Sequence, residues 1–524
     1  MSGARRIGPL AAGLTALTMV LLAGCTLGPS QRPALATYGP GPAATVTTTA
    51  PASGTVGPGG PGQQADPIRW QSCADVADTD PTTGQQFDVD CATVVTEGSA
   101  VGSAGRRSIE VARARAAGVA DDAPVLVVLD GSPGQHGRSD VAAVAAGLSP
   151  AVRQHFAVVT VDLAGSGDAD PIDCISRTDL GALATLGADP TQPEGAKALA
   201  EVTRSITFEC TDQGGPDLPL VNTTEAADDL DHLRAALGTD RLTVLGRGAG
   251  ATLGTVYADR YPGRVQAAVL DAPANPMDAA DARAAAVGVA AEKALDAFAA
   301  ACPTFSGGCP LGADPRGTVE KTVAQLDAAA TPGTGRVTGG SVLLSLLLGL
   351  GDPAVWPGLA GDIAKAGQGD TTALASRLST ALGLSDSRSW VTPALIYACN
   401  DTAVRLGPDQ LATAVQDVRA QAPLFGPYTL GLLGVCGSWP APENALGAVK
   451  ANGAPPILVL GAVDDPVAPY ESVRALAGQL ASAVLVSWQS GTHGSYPASA
   501  CAAGAVDGYL LQGQLPAVGT LCPP

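Results

Sequence analysis

The sequence is poor in the side chains that hold metals and nucleic acids. Its four histidines are scattered and none of its 11 cysteines forms a Cys-x-x-Cys pair, so no metal site is expected. Once Arg5 and Arg6 are set aside, 28 basic residues face 49 acidic ones, a formal charge of −21. That charge argues against nucleic acid as a partner and against electrostatic docking on anionic lipid. Only 15% of residues are charged and 46% are hydrophobic, which indicates a folded chain.

The N-terminus has the features of an export signal. Two arginines precede an apolar run over 10–22, which is followed by Gly24 and Cys25. This pattern predicts a signal peptide over 1–24, and the run is short against the about 20 residues that span a bilayer. Leu-Ala-Gly-Cys resembles a bacterial lipobox, which implies acylation of Cys25 and anchoring to the outer face of the cytoplasmic membrane. An ordinary signal peptide with a chance cysteine is the alternative.

The remaining ten cysteines predict disulfides, because an exported chain with an even number of cysteines normally pairs them. Connectivity cannot be read from sequence, so nearest-neighbour pairing is a hypothesis. The five expected pairs are Cys73–Cys91, Cys174–Cys210, Cys302–Cys309, Cys399–Cys436 and Cys501–Cys522.

The mature chain divides by composition into a tether, a core and an insertion. Residues 25–66 combine the lipidated cysteine with a flexible Pro/Gly/Thr linker. Apolar runs alternating with helical stretches predict a mostly parallel sheet flanked by helices, in two parts at 67–275 and 456–524. Between them, 276–455 is rich in alanine and leucine and is interpreted as a helical cap that includes a buried helix over 342–350. The candidate strands are 108–112, 125–129, 157–161, 242–245, 265–270, 457–460 and 484–488.

Four groups of polar or glycine residues follow these strands, at the edge where such sheets place their ligands. A glycine-rich loop over 130–137 comes first, and Gly246-Arg247-Gly248-Ala249-Gly250 joins a strand to a helix. Asp464-Asp465-Pro466 and Gly491-Thr492-His493-Gly494 follow the last two strands. This is the chain order of an α/β-hydrolase: oxyanion loop, nucleophile elbow, acid and histidine. The elbow pattern is normally G-x-S-x-G, and here it is G-x-G-x-G.

From about residue 70 to Cys522, the chain resembles the exported tripeptidyl-aminopeptidase-like (TAP-like) α/β-hydrolases of actinobacteria. That family shows N-G-G-P-G-x-S-G, D-x-R-G-x-G-x-S-x-P-x-x-C, D-L-D-x-L-R-x-x-L-G, G-x-S-Y-G-x-x-L-G-x-x-Y-A, D-P-x-T-P and a late G-H before a cysteine. The corresponding stretches here are DGSPGQHG, DLAGSGDADPIDC, DLDHLRAALG, GRGAGATLGTVYA, DDPVAP and GTHGSYPASAC. The resemblance implies an α/β-hydrolase fold with a helical cap.

Carried over by position, the resemblance makes Asp465 the acid and His493 the base, and it places Gly248 where the family has its serine. Ala249 would offer one oxyanion N–H group. The oxyanion loop would supply the other, and its candidate cleft residues are Gly131, Ser132, Gly134 and His136. Further departures cluster here, since Ser132, His136, Ala164 and Ala169 replace the family's glycine, serine, arginine and serine.

Glycine cannot attack a carbonyl carbon, so the leading hypothesis is a catalytically impaired pseudoenzyme that binds a peptide or envelope ligand under the cap. No cofactor is expected. The alternative is an active peptidase or esterase that uses a water activated by His493 or a substitute nucleophile, with Ser132, Ser166 and Thr252 as candidates. A remote alternative is an oxidoreductase, because G-x-G-x-x-A with Asp271 20 residues beyond Ala251 matches a dinucleotide-binding pattern.

Overall fold

A computed structural model describes residues 66–97, 106–135, 137–385, 389–442 and 444–524. The predicted signal peptide, most of the linker and Cys25 lie outside the described residues, as does His136. All described residues belong to one compact unit. None of its helices, in the part of the chain described, has the length and apolarity needed to cross a membrane.

Ten strands of the described chain form one sheet, which confirms the predicted fold class. The seven candidate strands all form, and the sequence reading missed β1, β2 and β10. The strands are β1 (Gln71–Ser72), β2 (Asp88–Glu97), β3 (Arg106–Arg115), β4 (Val125–Asp130), β5 (Ala157–Asp162), β6 (Leu242–Arg247), β7 (Val265–Asp271), β8 (Ile457–Ala462), β9 (Ala483–Trp488) and β10 (Thr520–Cys522).

The sheet order is β1-β2-β3-β5-β4-β6-β7-β8-β9-β10. β1, β2 and β3 pair antiparallel, β3 pairs antiparallel with β5, and all later pairs are parallel. In β4, Val127 packs on one face and Leu126 and Val128 on the other, so the strand is buried on both sides. Burial on both faces explains why the central strands are continuous apolar runs. The parallel strands also bring their carboxyl ends to one edge.

Helices cover both faces of the sheet and extend over its carboxyl edge. Their bounds are α1 (Val141–Ala146), α2 (Pro150–His155), α3 (Arg177–Ala184), α4 (Pro193–Gly214), α5 (Thr223–Ala236), α6 (Ala249–Arg260), α7 (Ala280–Ala301), α8 (Pro315–Ala329), α9 (Gly339–Gly349), α10 (Trp356–Gly367), α11 (Thr372–Ala381), α12 (Val391–Asn400), α13 (Pro408–Arg419), α14 (Phe425–Gly434), α15 (Tyr470–Gln479) and α16 (Ala500–Gln512).

The chain between β7 and β8 contains α7 to α14, and many of their apolar residues form a core separate from the two cores of the sheet. The buried run expected over 342–350 is α9, whose Val342, Leu343 and Leu346 are fully buried. Earlier segments also join this helical layer. Ser341 Oγ donates to the Ala184 carbonyl at the end of α3 at 2.9 Å, so α3 packs with α9 although the sequence reading assigned it to the core.

Disulfides fasten the core and the helical layer separately. The structure joins the same five pairs: Cys73–Cys91, Cys174–Cys210, Cys302–Cys309, Cys399–Cys436 and Cys501–Cys522. Cys399 lies in α12 and Cys436 just beyond α14, so this bond closes the helical layer shortly before the chain returns to the sheet. Cys501–Cys522 ties α16 to the edge strand β10.

Candidate active site

The turn between β6 and α6 has the geometry of a nucleophile elbow. Gly248 stands at its tip with φ +54° and ψ −121°, a backbone region that costs a residue with a Cβ atom about 1–3 kcal/mol. The flanking glycines are required by packing. A Cβ atom on Gly246 would lie 2.5 Å from the Gly250 carbonyl oxygen, and one on Gly250 would lie 2.0 Å from that of Leu129. Backbone atoms therefore pack closely on both sides of the turn, as they do in an elbow that carries a nucleophile.

The acid and the base predicted from sequence meet at the same edge of the sheet. Asp465 follows β8, and its fully buried carboxylate lies 2.9 Å from Nδ1 of His493, which follows β9. The backbone N–H groups of Val467 and Ala468 donate to the same carboxylate at 2.8 and 2.9 Å. These bonds hold Asp465 in one orientation, so it can fix the tautomer and the direction of the imidazole ring.

The free nitrogen of His493 faces the elbow. A Cβ atom added to Gly248 would lie 3.5 Å from His493 Nε2 and, in the described structure, within 4 Å of no other atom outside its chain neighbours. A serine there would place its oxygen within reach of the base, as nucleophilic catalysis requires. Elbow, base and acid therefore keep the relative positions of a catalytic triad, with a hydrogen atom at the nucleophile position.

Acidic neighbours raise the pKa of His493. Partial burial of the ring opposes protonation, but the hydrogen bond to Asp465 and attraction to Asp465, Asp271 and Asp130 outweigh it, so the pKa of His493 lies above its usual value. Asp130 itself pairs with Arg247 at 3.1 Å. Burial raises the pKa of Asp271, against hydrogen bonds from the backbone N–H groups of Tyr496 and Ser495.

The helical layer contacts His493 directly, a contact that the sequence does not predict. The His493 backbone N–H donates to the Gly351 carbonyl oxygen at 2.9 Å, two residues beyond the end of α9. A Cβ atom on Gly351 would approach His493 Cβ to 2.7 Å, so this contact requires glycine. No sequence motif marks Gly351, because the contact depends on how α9 is placed over the sheet.

A family model described as "TAP-like protein" matches residues 422–522, the part of the chain that carries Asp465 and His493. Serine protease Hip1 of Mycobacterium tuberculosis is 29% identical over 424 residues, which cover 76% of this chain and 80% of that protein. The tripeptidyl aminopeptidase of Streptomyces lividans is 26% identical over 388 residues, 70% of each chain. Together, the TAP-like domain over 422–522 and these curated relatives support a TAP-like α/β-hydrolase family for this chain. Among solved structures, the proline iminopeptidase of Mycobacterium smegmatis covers 80% of this chain and 93% of its own, at 13% identity and a TM-score of 0.33.

The loop predicted to supply an oxyanion donor lies against the elbow. The Gly131 carbonyl oxygen accepts the Gly250 N–H at 3.1 Å, and Gly131 and Gly134 have φ of +72° and +86°. The Ser132 N–H donates to the side-chain oxygen of Gln135 at 3.0 Å, so a candidate oxyanion donor is already engaged. Ala249 is exposed and is the first residue of α6, where an N–H group has no acceptor within its own helix.

Ser166 and Thr252 are not placed to act as substitute nucleophiles. Ser166 is 1% exposed and donates to the Leu163 carbonyl oxygen. Thr252 is buried in α6, and its hydroxyl accepts the Ala274 N–H at 3.0 Å. Asp271 is fully buried, and since it already accepts two backbone N–H groups it is not placed to bind a ribose. In the described ranges, no group of three or more His, Cys, Asp or Glu side chains is arranged to hold a metal ion.

Proposed function

We propose that this chain is an exported lipoprotein that has lost acyl-enzyme chemistry and uses the cleft beside His493 to bind a peptide or an envelope component. One observation carries the proposal: Gly248 occupies the tip of an intact elbow and faces His493 Nε2 across an open position. Loss of the nucleophile from a serine hydrolase costs on the order of 10⁶ in kcat. Turnover at that level would not sustain a digestive peptidase.

Exposed apolar side chains in the segments around the dyad support a binding role. Val463 and Val467 flank the loop that carries Asp465, and Leu348 lies in the last turn of α9, just before the contact of Gly351 with His493. These three side chains are 38%, 41% and 42% exposed. Apolar groups of a ligand would bury this surface, at about 25 cal/mol per Å² removed from water.

The lipid anchor is the second part of the proposal and rests on the N-terminal sequence alone. Acylation of Cys25 would hold the folded unit at the outer face of the membrane through the linker over 25–66. A single acyl chain binds membranes only marginally, whereas stable anchoring takes two signals, such as dual acylation. A binding protein gains from this placement because its ligands would come from the envelope itself.

A fluorophosphonate probe tests the absence of a nucleophile, since it reacts only with an activated serine. The purified wild-type protein should remain unlabelled at probe concentrations that modify a TAP-like relative with a G-x-S-x-G elbow stoichiometrically. Stoichiometric labelling of the wild-type protein, mapped by mass spectrometry to any serine, contradicts the proposal. Binding is tested by equilibrium dialysis against a defined mixture of tri- to hexapeptides. Leu348→Asp should lower retention at least tenfold, and the exposed Val518→Asp serves as the control.

A further inference from the structure

We propose that the open position at the elbow binds the hydroxyl group of a small molecule, so that the Asp465–His493 dyad transfers acyl groups from activated esters to water or a primary alcohol in one step. This rests on the proposed function in one respect, the absence of a nucleophile at position 248. It goes beyond that function because it assigns a slow reaction to the same site.

The dyad is arranged as a base with no proton donor of its own. Nδ1 of His493 lies 2.9 Å from the Asp465 carboxylate, which leaves Nε2 to act toward the elbow. Nε2 faces a position 3.5 Å away that only the hydrogen of Gly248 occupies. No side chain stands between Nε2 and the Gly248 Cα, so a hydroxyl oxygen in van der Waals contact with that Cα can donate a hydrogen bond to the base from the elbow side.

Solvent reaches the base but not the acid. The His493 side chain is 35% exposed, whereas the Asp465 side chain is fully buried. A water or alcohol molecule can thus enter beside Nε2 while the acid stays shielded. Ala249, exposed at the first position of α6, offers its N–H group to an oxygen atom that becomes negative beside the elbow.

In the reaction, the hydroxyl oxygen attacks the acyl carbon while His493 Nε2 takes its proton. The new C–O bond converts the carbonyl oxygen to an oxyanion, and its collapse breaks the bond to the leaving group. With p-nitrophenyl acetate the leaving group departs as p-nitrophenolate, and His493 releases the proton to solvent. Water gives acetate, and methanol gives methyl acetate. No covalent bond to the protein forms at any stage.

Turnover of p-nitrophenyl acetate by three variants tests the proposal. Positioned general-base catalysis is worth about 10²- to 10⁴-fold, so the wild-type rate should exceed that of His493→Gln at least tenfold. Gly248→Ala fills the open position and should lower the rate by a similar factor. Gly453 has φ +88° and no atom within 4 Å of an added Cβ. Gly453→Ala therefore also adds a Cβ atom at positive φ, but before the amino end of β8, whereas Asp465 follows its carboxyl end, and it should keep the wild-type rate.

Product analysis in methanol separates this site from reaction in bulk solvent. Methyl acetate should form with saturable dependence on methanol in the wild-type protein and not in Gly248→Ala. Equal rates for the wild-type protein, Gly248→Ala and His493→Gln, each folded by circular dichroism, would overturn the single-step reaction and leave the binding proposal standing. A stoichiometric burst of p-nitrophenolate from the wild-type protein would instead reveal an acyl-enzyme and overturn both.

Discussion

Replacing Gly248 by serine tests the geometry of the elbow most directly. The added Cβ atom would touch only His493 Nε2, at 3.5 Å, which is an ordinary van der Waals distance. The cost therefore comes from the backbone, since φ +54° penalises a residue with a side chain by about 1–3 kcal/mol. Gly453→Ser is the control, because it also adds a side chain at positive φ (+88°) and in open space.

Reactivity should appear but remain low. The serine oxygen would lie within hydrogen-bonding reach of His493, which restores the order serine, aspartate, histidine along the chain. The oxyanion loop limits the gain, because Gln135 already occupies the Ser132 N–H group at 3.0 Å. A missing oxyanion donor costs about 10²–10³ in rate. Gly248→Ser should therefore label slowly with fluorophosphonate, and Gly248→Ser/Gln135→Ala should label at least tenfold faster.

The assay combines labelling rates, a map of the labelled residue and urea denaturation of each variant. The label should map to the serine introduced at position 248, and the free energy of unfolding should fall by about 1–3 kcal/mol in Gly248→Ser. A folded Gly248→Ser protein that never labels would refute the inference that the elbow and His493 retain triad geometry. Equal labelling rates with and without Gln135 would refute its role in blocking the oxyanion loop.

Three further predictions concern the dyad, the joint between helical layer and core, and the membrane. Gly351→Ala should displace His493, because the added Cβ atom would lie 2.7 Å from the Cβ atom of the histidine. Thermal unfolding should show a loss of about 1–3 kcal/mol in the free energy of unfolding. An unshifted NMR signal of the His493 imidazole would contradict this prediction. Burial raises the pKa of Asp401 to about 6 despite hydrogen bonds from Thr223, so its contribution to stability is present below about pH 4 and lost as pH rises through 6. Between pH 4 and 8, the free energy of unfolding measured in urea should therefore fall by about 1–3 kcal/mol less in Asp401→Asn than in the wild-type protein. Cys25→Ala should release the protein from the membrane fraction, and unchanged fractionation would count against lipidation.

The sequence predicted the central sheet well because its strands are buried on both faces and read as continuous apolar runs. The runs at β4 and β6 are bounded by glycine-rich loops, so their ends were also found closely. β2 was missed because it pairs antiparallel near the sheet edge, and its sequence mixes polar and apolar residues. The two-residue β1 and the three-residue β10 carry too little pattern to be recognised.

At the site, too, features marked by a local sequence pattern are predictable and features that depend on distant packing are not. The proximity of Asp465 and His493 is predictable because each lies in the loop after a strand, and parallel strands bring such loops to one edge of the sheet. Gly351 and Gln135 could not be found, because their roles depend on packing between distant segments and on the path of a single loop. The assignment of 276–455 as a separate cap stays a prediction, and the bond from Ser341 to Ala184 places α3 in contact with the same helices.

Retention of the dyad without a nucleophile does not by itself demonstrate proton transfer. Asp465 also accepts the N–H groups of Val467 and Ala468, so its carboxylate shapes the loop after β8 whatever His493 does. A purely structural role and a role in proton transfer therefore predict the same geometry at Asp465. Only a role in proton transfer requires Nε2 of His493 to face the elbow.

Asp465→Asn separates these two roles. The asparagine carbonyl oxygen can still accept the N–H groups of the loop, so the free energy of unfolding should fall by no more than about 1 kcal/mol, the net worth of one hydrogen bond. Its amide group would donate to Nδ1 of His493, which puts the imidazole proton on Nε2 and removes the base; the corresponding change in a serine protease lowers kcat about 10⁴-fold. Turnover of p-nitrophenyl acetate by Asp465→Asn should therefore drop to the level of His493→Gln while thermal unfolding changes little. A variant that keeps wild-type turnover would show that Asp465 serves only to hold the loop.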